Sequence, residues 1–277
     1  MTQKINSQLL KSMARHHTKL GLKYFIKGLN YERCAELPYI ISLVQEKFDT
    51  SLKYLDIGSG ESPLPTYFLK ESNWDIWCVD KFSWVQKQWE HAARTMSRDS
   101  FQNRFHVVEK DFFDADLPPE SFDIITNVSV IEHFEGDLDS KAMAASARLL
   151  KPGGRYILTT LINDGYFKEF SLKKNVYGET YDNKPVFYQR HYDIENLDKR
   201  LIKPSGLNEV SRIYFGDYGY QAFENFIQRV PNIIRVFYRW AIPMLAQQFM
   251  SYSSLPISRR EMLTNTASGV ILVLEKQ

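Results

Sequence analysis

The run Asp56-Ile57-Gly58-Ser59-Gly60-Glu61 holds the residues of this chain whose types and spacing most suit chemistry. Two glycines one residue apart allow a tight turn and let a ligand approach the backbone with no Cβ in the way. Leu52, Leu55 and Ile57 ahead of the turn have the apolar character of a buried strand. Ser62 suits an N-cap and Pro63 the first helical position, so a helix is expected to begin here with its first N–H groups aimed at the pocket beside the turn. Strand, glycine turn and helix N-terminus together make a nucleotide-type cofactor site. A dinucleotide fingerprint would need a third glycine where Pro63 stands, and no phosphate-loop lysine motif occurs in the chain. Asp56 and Glu61 suit a ligand carrying positive charge, such as an amino-acid ammonium or a sulfonium.

His16-His17 reads as a solvated pair, and no spacing with Cys, Asp or Glu suggests a metal site. Cys34 and Cys78 fall in an expected helix and an expected buried strand and read as reduced core residues, which suits a cytoplasmic protein. The start Met1-Thr2-Gln3-Lys4 opens no apolar signal-like run, and no apolar stretch approaches the length of a membrane span. The net charge of +2 gives no reason to expect nucleic acid as a partner.

The elements that must position these residues alternate between helix and strand from Tyr31 to Ile162, which argues for a mostly parallel sheet with helices on both faces. With 277 residues, 44% hydrophobic and 25% charged, the chain fits one enlarged domain over 1–277. Tyr31 to Phe48 has helical periodicity, with a kink or break expected at Pro38. Residues 1–30 form a basic extension, expected to be helical and to act as a lid. Residues 163–190 are polar and aromatic without clear periodicity. A helix capped by Asp193 is expected to run to Pro204, and Asn208 to Phe215 and Ser268 to Glu275 read as the last two strands.

Four stretches in order resemble the class I S-adenosylmethionine-dependent methyltransferases, in their small-molecule branch (methyltransferase type 11). They are Asp56-Ile57-Gly58-Ser59-Gly60, Trp74 to Asp80, Phe105 to Phe112, and Ser121 to His133, followed by Leu149-Leu150-Lys151-Pro152-Gly153-Gly154-Arg155. The resemblance covers roughly 50–162 and implies a Rossmann-like, doubly wound, seven-stranded α/β sheet, mostly parallel with its last strand antiparallel. It implies S-adenosylmethionine as cofactor, with Asp80 accepting from the ribose hydroxyls and Asp111 from the adenine amine beside Phe112. The implied cofactor-binding set is Asp56, Gly58, Ser59, Gly60, Asp80, Lys81, Asp111, Phe112, Asn127, Val128 and Ser129. Histidine titrates near neutral pH, and through this resemblance His133, directly after Glu132, and His191, in Gln189-Arg190-His191-Tyr192-Asp193, become candidate proton carriers. Each competes with a bland role, His133 in packing and His191 at a helix start.

The family's last two strands form a tight hairpin, whereas here residues 216–267 separate them. That insertion reads as one or two amphipathic helices broken by Pro231 and Pro243, packed as a cap on the sheet edge. A membrane-surface helix through 226–250 is the less favoured reading. The N-terminal extension and the insertion 216–267 are expected to close over the pocket and select the acceptor, with 163–190 on the substrate side as well. Asn127-Val128-Ser129-Val130 lacks the motif of exocyclic-amine nucleic-acid methyltransferases, and no Pro-Cys pair supports a cytosine mechanism. The acceptor is therefore expected to be an oxygen, nitrogen or carbon atom of a small molecule. A protein or lipid-linked substrate, a SAM-binding regulator or scaffold without transfer activity, and a nucleotide-dependent oxidoreductase stay as alternatives.

Overall fold

The computed structural model describes residues 2–163, 166–172, 185–217, 226–227, 229–231, 234, 238–239, 241–254 and 268–277. Five strands, β2 (Lys53–Ile57), β3 (Asp75–Asp80), β4 (Phe105–Glu109), β5 (Phe122–Val128) and β6 (Leu150–Ile162), pair in parallel in the order β4-β3-β2-β5-β6. The last strand, β11 (Ser268–Glu275), runs antiparallel between β6 and β9 (Asn208–Gly216), completing the expected seven. Two three-residue strands, β10 (Ser251–Ser253) and β1 (Thr2–Lys4), extend the sheet to nine. Strand order reverses between β2 and β5, so the carboxyl ends of those strands open the crevice where ligands of such sheets bind.

Helices cover both faces. The buried residues of β2 alternate: Tyr54 joins one apolar cluster with Phe68 and Trp74, while Leu55 and Ile57 join the other with Met143 and Leu158. Helix α3 (Arg33–Val44) continues through Pro38, where a kink or break was expected, because Pro38 and its neighbours Leu37, Ile40 and Ile41 are held by burial. Helix α4 (Leu64–Glu71) starts one residue later than the sequence suggests: Pro63 is its cap, and the Ser62 hydroxyl accepts from Leu64 N–H at 3.3 Å. Residues 163–190, expected to be irregular, hold an antiparallel hairpin of β7 (Lys168–Leu172) and β8 (Val186–His191). The helix expected from Asp193 begins with α7 (Ile194–Asn196), passes through a π-helical turn (Leu197–Ile202) and ends in α8 (Lys203–Ser205). Asp193 caps it by accepting from Asn196 N–H at 2.7 Å. In the last insertion, α9 (Ala241–Phe249) contains Pro243 in its first turn, where no intrahelical N–H bond is lost. The parts of the helix reading that rest on Phe223, Ile233, Arg235, Val236, Phe237 and Trp240 lie outside the described residues.

The N-terminal extension is built into the core. Helix α1 (Ser7–Lys19) buries Leu10 and Met13, and α2 (Leu22–Lys27) buries Tyr24. His16 and His17, expected to be solvated, are 5% and 8% exposed. The His16 Nε2 lies 3.0 Å from the Thr66 hydroxyl, and His17 Nε2 donates to the Gly28 carbonyl at 3.1 Å. Helical periodicity alone could not show that both residues face helix partners rather than water. Burial lowers His16 to about 3, with Lys70 adding to the effect. Burial also lowers His17 to about 4, against the Gly28 bond.

These shifts fix a pH dependence. A histidine whose folded value lies below its ordinary 6.5 binds more protons unfolded, so stability is full above pH 6.5 and is lost as pH falls towards 3–4. Glu132 works in the opposite sense: burial pushes it up to about 8 from 4.5, so its contribution is lost as pH rises through that window. Thermal melts across pH should therefore peak near neutrality. Replacing His16 and His17 with asparagine should flatten the acid limb, and an unchanged limb would show that other groups cause it.

Candidate functional site

The glycine turn follows directly from the end of β2. Gly58 and Gly60 adopt φ of +70° and +48°, and the N–H groups of Gly58 and Ser59 both donate to the Val79 carbonyl at 2.8 and 3.1 Å. A Cβ on Gly58 would come within 2.4 Å of the Val130 side chain, so the turn closes against the loop after β5. Register pairs Ile57 with Val79, which places Asp80 beside the turn. Asp80 accepts from Gly60 N–H and from Phe82 N–H, each at 2.9 Å. Burial raises its carboxyl above the usual range even though those donors and the Trp84 side chain favour the charged form. The buried Gln88 amide closes the turn from below, donating to the carbonyls of Gly60 (3.1 Å) and Ser62 (2.9 Å).

Both carboxylates read as partners for a cationic ligand have other neighbours. Asp56 is 2% exposed and accepts from the Thr126 hydroxyl at 2.5 Å, while the Ser59 hydroxyl donates to its carbonyl at 2.6 Å. Burial pushes Asp56 up to about 7, so it braces the turn from inside. Glu61 receives ammonium groups from Lys23 and from Lys87, the latter at 2.7 Å. Burial raises Glu61, but the two lysines together outweigh it and hold it down at about 2. Lys23 and Lys87 are distant in sequence from Glu61, so its proximity to the turn was no sign of its charge balance.

The end of β5 and the loop after it carry the remaining candidates. Asn127 is buried, and its Oδ1 accepts from Ile131 N–H at 2.9 Å, while its Nδ2 has no hydrogen-bond partner among the described residues. Ser129 holds a left-handed φ of +51°, fixed by its N–H bonds to the carbonyl and hydroxyl of Thr159, each 3.0 Å. Its hydroxyl meets Glu36 and Arg33 from α3 at 2.7 Å each, and Arg33 also donates to the Val128 carbonyl at 3.3 Å. Asp111 is exposed and caps a short 3-10 turn (Phe112–Asp114), accepting from Phe113 N–H at 3.0 Å. Lys81 is exposed, with its ammonium 4.8 Å from the Phe82 ring centre.

His133 donates from Nδ1 to the Tyr188 carbonyl on β8 at 2.7 Å, which leaves Nε2 as the basic ring nitrogen. Burial lowers its basicity, against that bond. His191 lies at the end of the same strand with Nε2 3.1 Å from the Gln189 amide nitrogen. Burial and then Lys168 bring it down to about 4. The Gly58–Gly60 turn, Asp80, Asp111 and Asn127–Ser129 thus follow the carboxyl ends of four adjacent strands. Among the described residues no cluster of His, Cys, Asp and Glu could hold a metal ion.

Residues 55–158 match the sequence model of a methyltransferase domain, and this span runs from the glycine turn to the fifth parallel strand. Residues 55–158 therefore carry a methyltransferase domain, and the rest of the chain lies outside the match. No curated protein sequence matches it. Among solved structures, 1,6-didemethyltoxoflavin-N1-methyltransferase from Burkholderia thailandensis is 16% identical with a TM-score of 0.55, covering 97% of this chain and 87% of its own. An S-adenosylmethionine-dependent methyltransferase from Mesorhizobium loti is 11% identical with a TM-score of 0.53, covering 89% and 100%. Phosphoethanolamine N-methyltransferase 2 from Haemonchus contortus is 15% identical with a TM-score of 0.49, and the match covers 86% of this chain and 52% of that one. At these identities the likeness is one of fold.

The methyltransferase domain matched by residues 55–158 implies S-adenosylmethionine as cofactor. The residues present fit it: a Cβ-free turn and a half-buried carboxyl beside it. Sequence reasoning missed Trp84 and Gln88 around Gly60, and Arg33 and Glu36 against Ser129. The i,i+3 spacing of Arg33 and Glu36 was visible, but it reads equally as a surface pair.

Proposed function

We propose that this methyltransferase moves a methyl group to an oxygen, nitrogen or carbon atom of a small-molecule acceptor at the carboxyl ends of β2 to β5, in the cytoplasm. The observation that carries the reading is Asp80 lying against Gly60, a carboxylate held where a nucleoside ribose can donate to it. In this reading Asp80 receives the ribose hydroxyls, Asp111 the adenine amine with Phe112 beside the ring, and the Gly58–Gly60 turn gives close backbone approach. Asn127, Val128 and Ser129 border the methionine end, and Lys81 lies at the rim. Residues 50–162 hold the cofactor, while 1–30, 163–190 and 216–267 face the acceptor. The bound cofactor supplies an activated methyl on a sulfonium, so the protein's work is chiefly alignment and exclusion of water.

A base is needed only when the accepting atom keeps its proton, as a hydroxyl does. His133 suits that task because the Tyr188 carbonyl fixes its tautomer and burial keeps it neutral. His191 is the second candidate, further along the same strand. The test is single-turnover transfer from methyl-labelled S-adenosylmethionine to fractionated small-molecule extract, repeated across pH. Transfer should lose rate below an apparent pKa under 6.5, and His133→Asn should remove that limb. A limb that persists in the variant assigns His133 to packing. Product binding with no label moved in any fraction would identify a non-catalytic SAM-binding protein.

A further inference from the structure

The molecule's charge is divided unevenly between its parts. Residues 1–31 contain no Asp or Glu and carry Lys4, Lys11, Arg15, Lys19, Lys23 and Lys27. Residues 225–260 also contain no Asp or Glu and carry Arg229, Arg235, Arg239, Arg259 and Arg260. All 33 acidic residues lie elsewhere, so a net charge of only +2 conceals two strongly basic segments. The fold brings the described parts of these segments together. The Arg239 guanidinium lies 3.7 Å from the centre of the Phe25 ring, a Cβ on Gly28 would meet Arg239 Cβ at 3.2 Å, and α1 packs on both α2 and α9.

The same segments display large apolar side chains to solvent. Leu22 is 72% exposed and Met244 71%, and Phe25, Ile26, Phe226 and Ile234 are also exposed. Phe226 also borders a cleft of about 240 Å³ lined by apolar side chains such as Ile227, Leu245 and Phe249. Exposed apolar groups of this size on adjoining segments call for an explanation, because soluble monomers seldom gather them. Lys23 is engaged by Glu61, while Lys19, Lys27 and Arg229 are exposed on the same two segments. Phosphate-rich nucleic acid would satisfy the cations but offers nothing to Leu22, Ile26 and Met244. An anionic lipid surface satisfies both, drawing the cations by its potential and taking the aliphatic side chains into the headgroup boundary.

We propose that the face formed by α2, α9 and the described residues Phe226, Arg229 and Ile234 docks this protein reversibly on an anionic membrane surface. No described helix is long and apolar enough to cross a membrane, so the contact is peripheral. The cofactor turn, Asp80 and Asp111 contribute no residue to this face.

Sedimentation of the full chain with vesicles tests this, using phosphatidylcholine alone or with about 30% phosphatidylglycerol at about 0.1 M salt. Binding to the anionic vesicles should exceed binding to the neutral ones by roughly tenfold or more, and should fall as salt rises. Leu22→Glu combined with Met244→Glu should lower it about tenfold with S-adenosylhomocysteine affinity unchanged, since neither residue belongs to the cofactor machinery. Lys19→Glu with Lys27→Glu should abolish the preference for anionic vesicles. Equal binding to both vesicles, or none to either, would overturn the proposal. So would full retention of binding by the Leu22/Met244 variant, or duplex RNA that displaces the wild type and binds that variant undiminished, which would mark a nucleic-acid face.

Discussion

Asp80→Ala should weaken S-adenosylhomocysteine binding by about 2–3 kcal/mol, roughly 30–150-fold, from a wild-type affinity in the micromolar range. Two losses combine. The ribose hydroxyls lose a charged acceptor, and the N–H groups of Gly60 and Phe82 lose the oxygens they meet at 2.9 Å. The second loss loosens the turn that the ligand backs against, so the effect should exceed that of removing a surface carboxylate. Asp111→Ala should do less, because Asp111 is exposed and one of its oxygens already serves Phe113 N–H. Calorimetry on the two variants gives the order directly. Unchanged affinity in Asp80→Ala removes that residue from the site, and unchanged affinity in Asp111→Ala removes the adenine assignment.

What could be read in the sequence was whatever depends on neighbours in sequence. The glycine turn, the Asp193 cap and the strand Ser268–Glu275 follow from turn chemistry, capping and a run of buried apolar residues, and each stands where it was expected. The hairpin of β7 and β8 was missed because its residues are mostly half-buried or exposed, which erases the apolar alternation that marks a strand. Strands β1 and β10 are three residues long and find each other across most of the chain, so no local pattern encodes them. The same limit applies to the site. Asp80 was legible through its spacing from the turn. The partners that fix the charge of Glu61, bury His16 and His17, and hold Ser129 lie on other helices, so only the fold reveals them. Asp56 was correctly placed at the turn, but its burial turned the expected ligand contact into a brace.

Asp139→Ala should destabilise the protein by about 3–5 kcal/mol, because it strands a guanidinium in the interior. Asp139 and Arg190 are both 0% exposed at the side chain, 2.8 Å apart. Asp139 also accepts from Arg200 and from the Tyr192 hydroxyl, at 2.8 and 2.9 Å, and lies in the first turn of α6 (Leu138–Leu149), where the helix favours an anion. Without it, Arg190 keeps, among the described residues, the carbonyls of Gly136 and Phe134, the rings of Phe187 and Phe167 at 5.0 and 5.9 Å, and a half-exposed Glu169 at 3.4 Å. Arg190 sits on β8, two residues from the Tyr188 carbonyl that orients His133, so the loss should reach the acceptor side of the site. Urea unfolding measures the first effect, and the titration of His133 followed by NMR measures the second, with its value expected to return towards 6.5 as the ring becomes solvated. Replacing both partners with apolar residues, Asp139→Leu with Arg190→Met, should recover part of the stability, since the fully buried Arg190 charge is removed while the Arg200 side chain, 23% exposed, and the Tyr192 hydroxyl still lose their acceptor. The double variant should nonetheless leave His133 less firmly held than wild type, because packing replaces the bonds that fix β8 against the loop. A loss under about 1 kcal/mol in Asp139→Ala would mean that water or Glu169 takes over the guanidinium, and the hairpin would then be anchored by its aromatic packing instead.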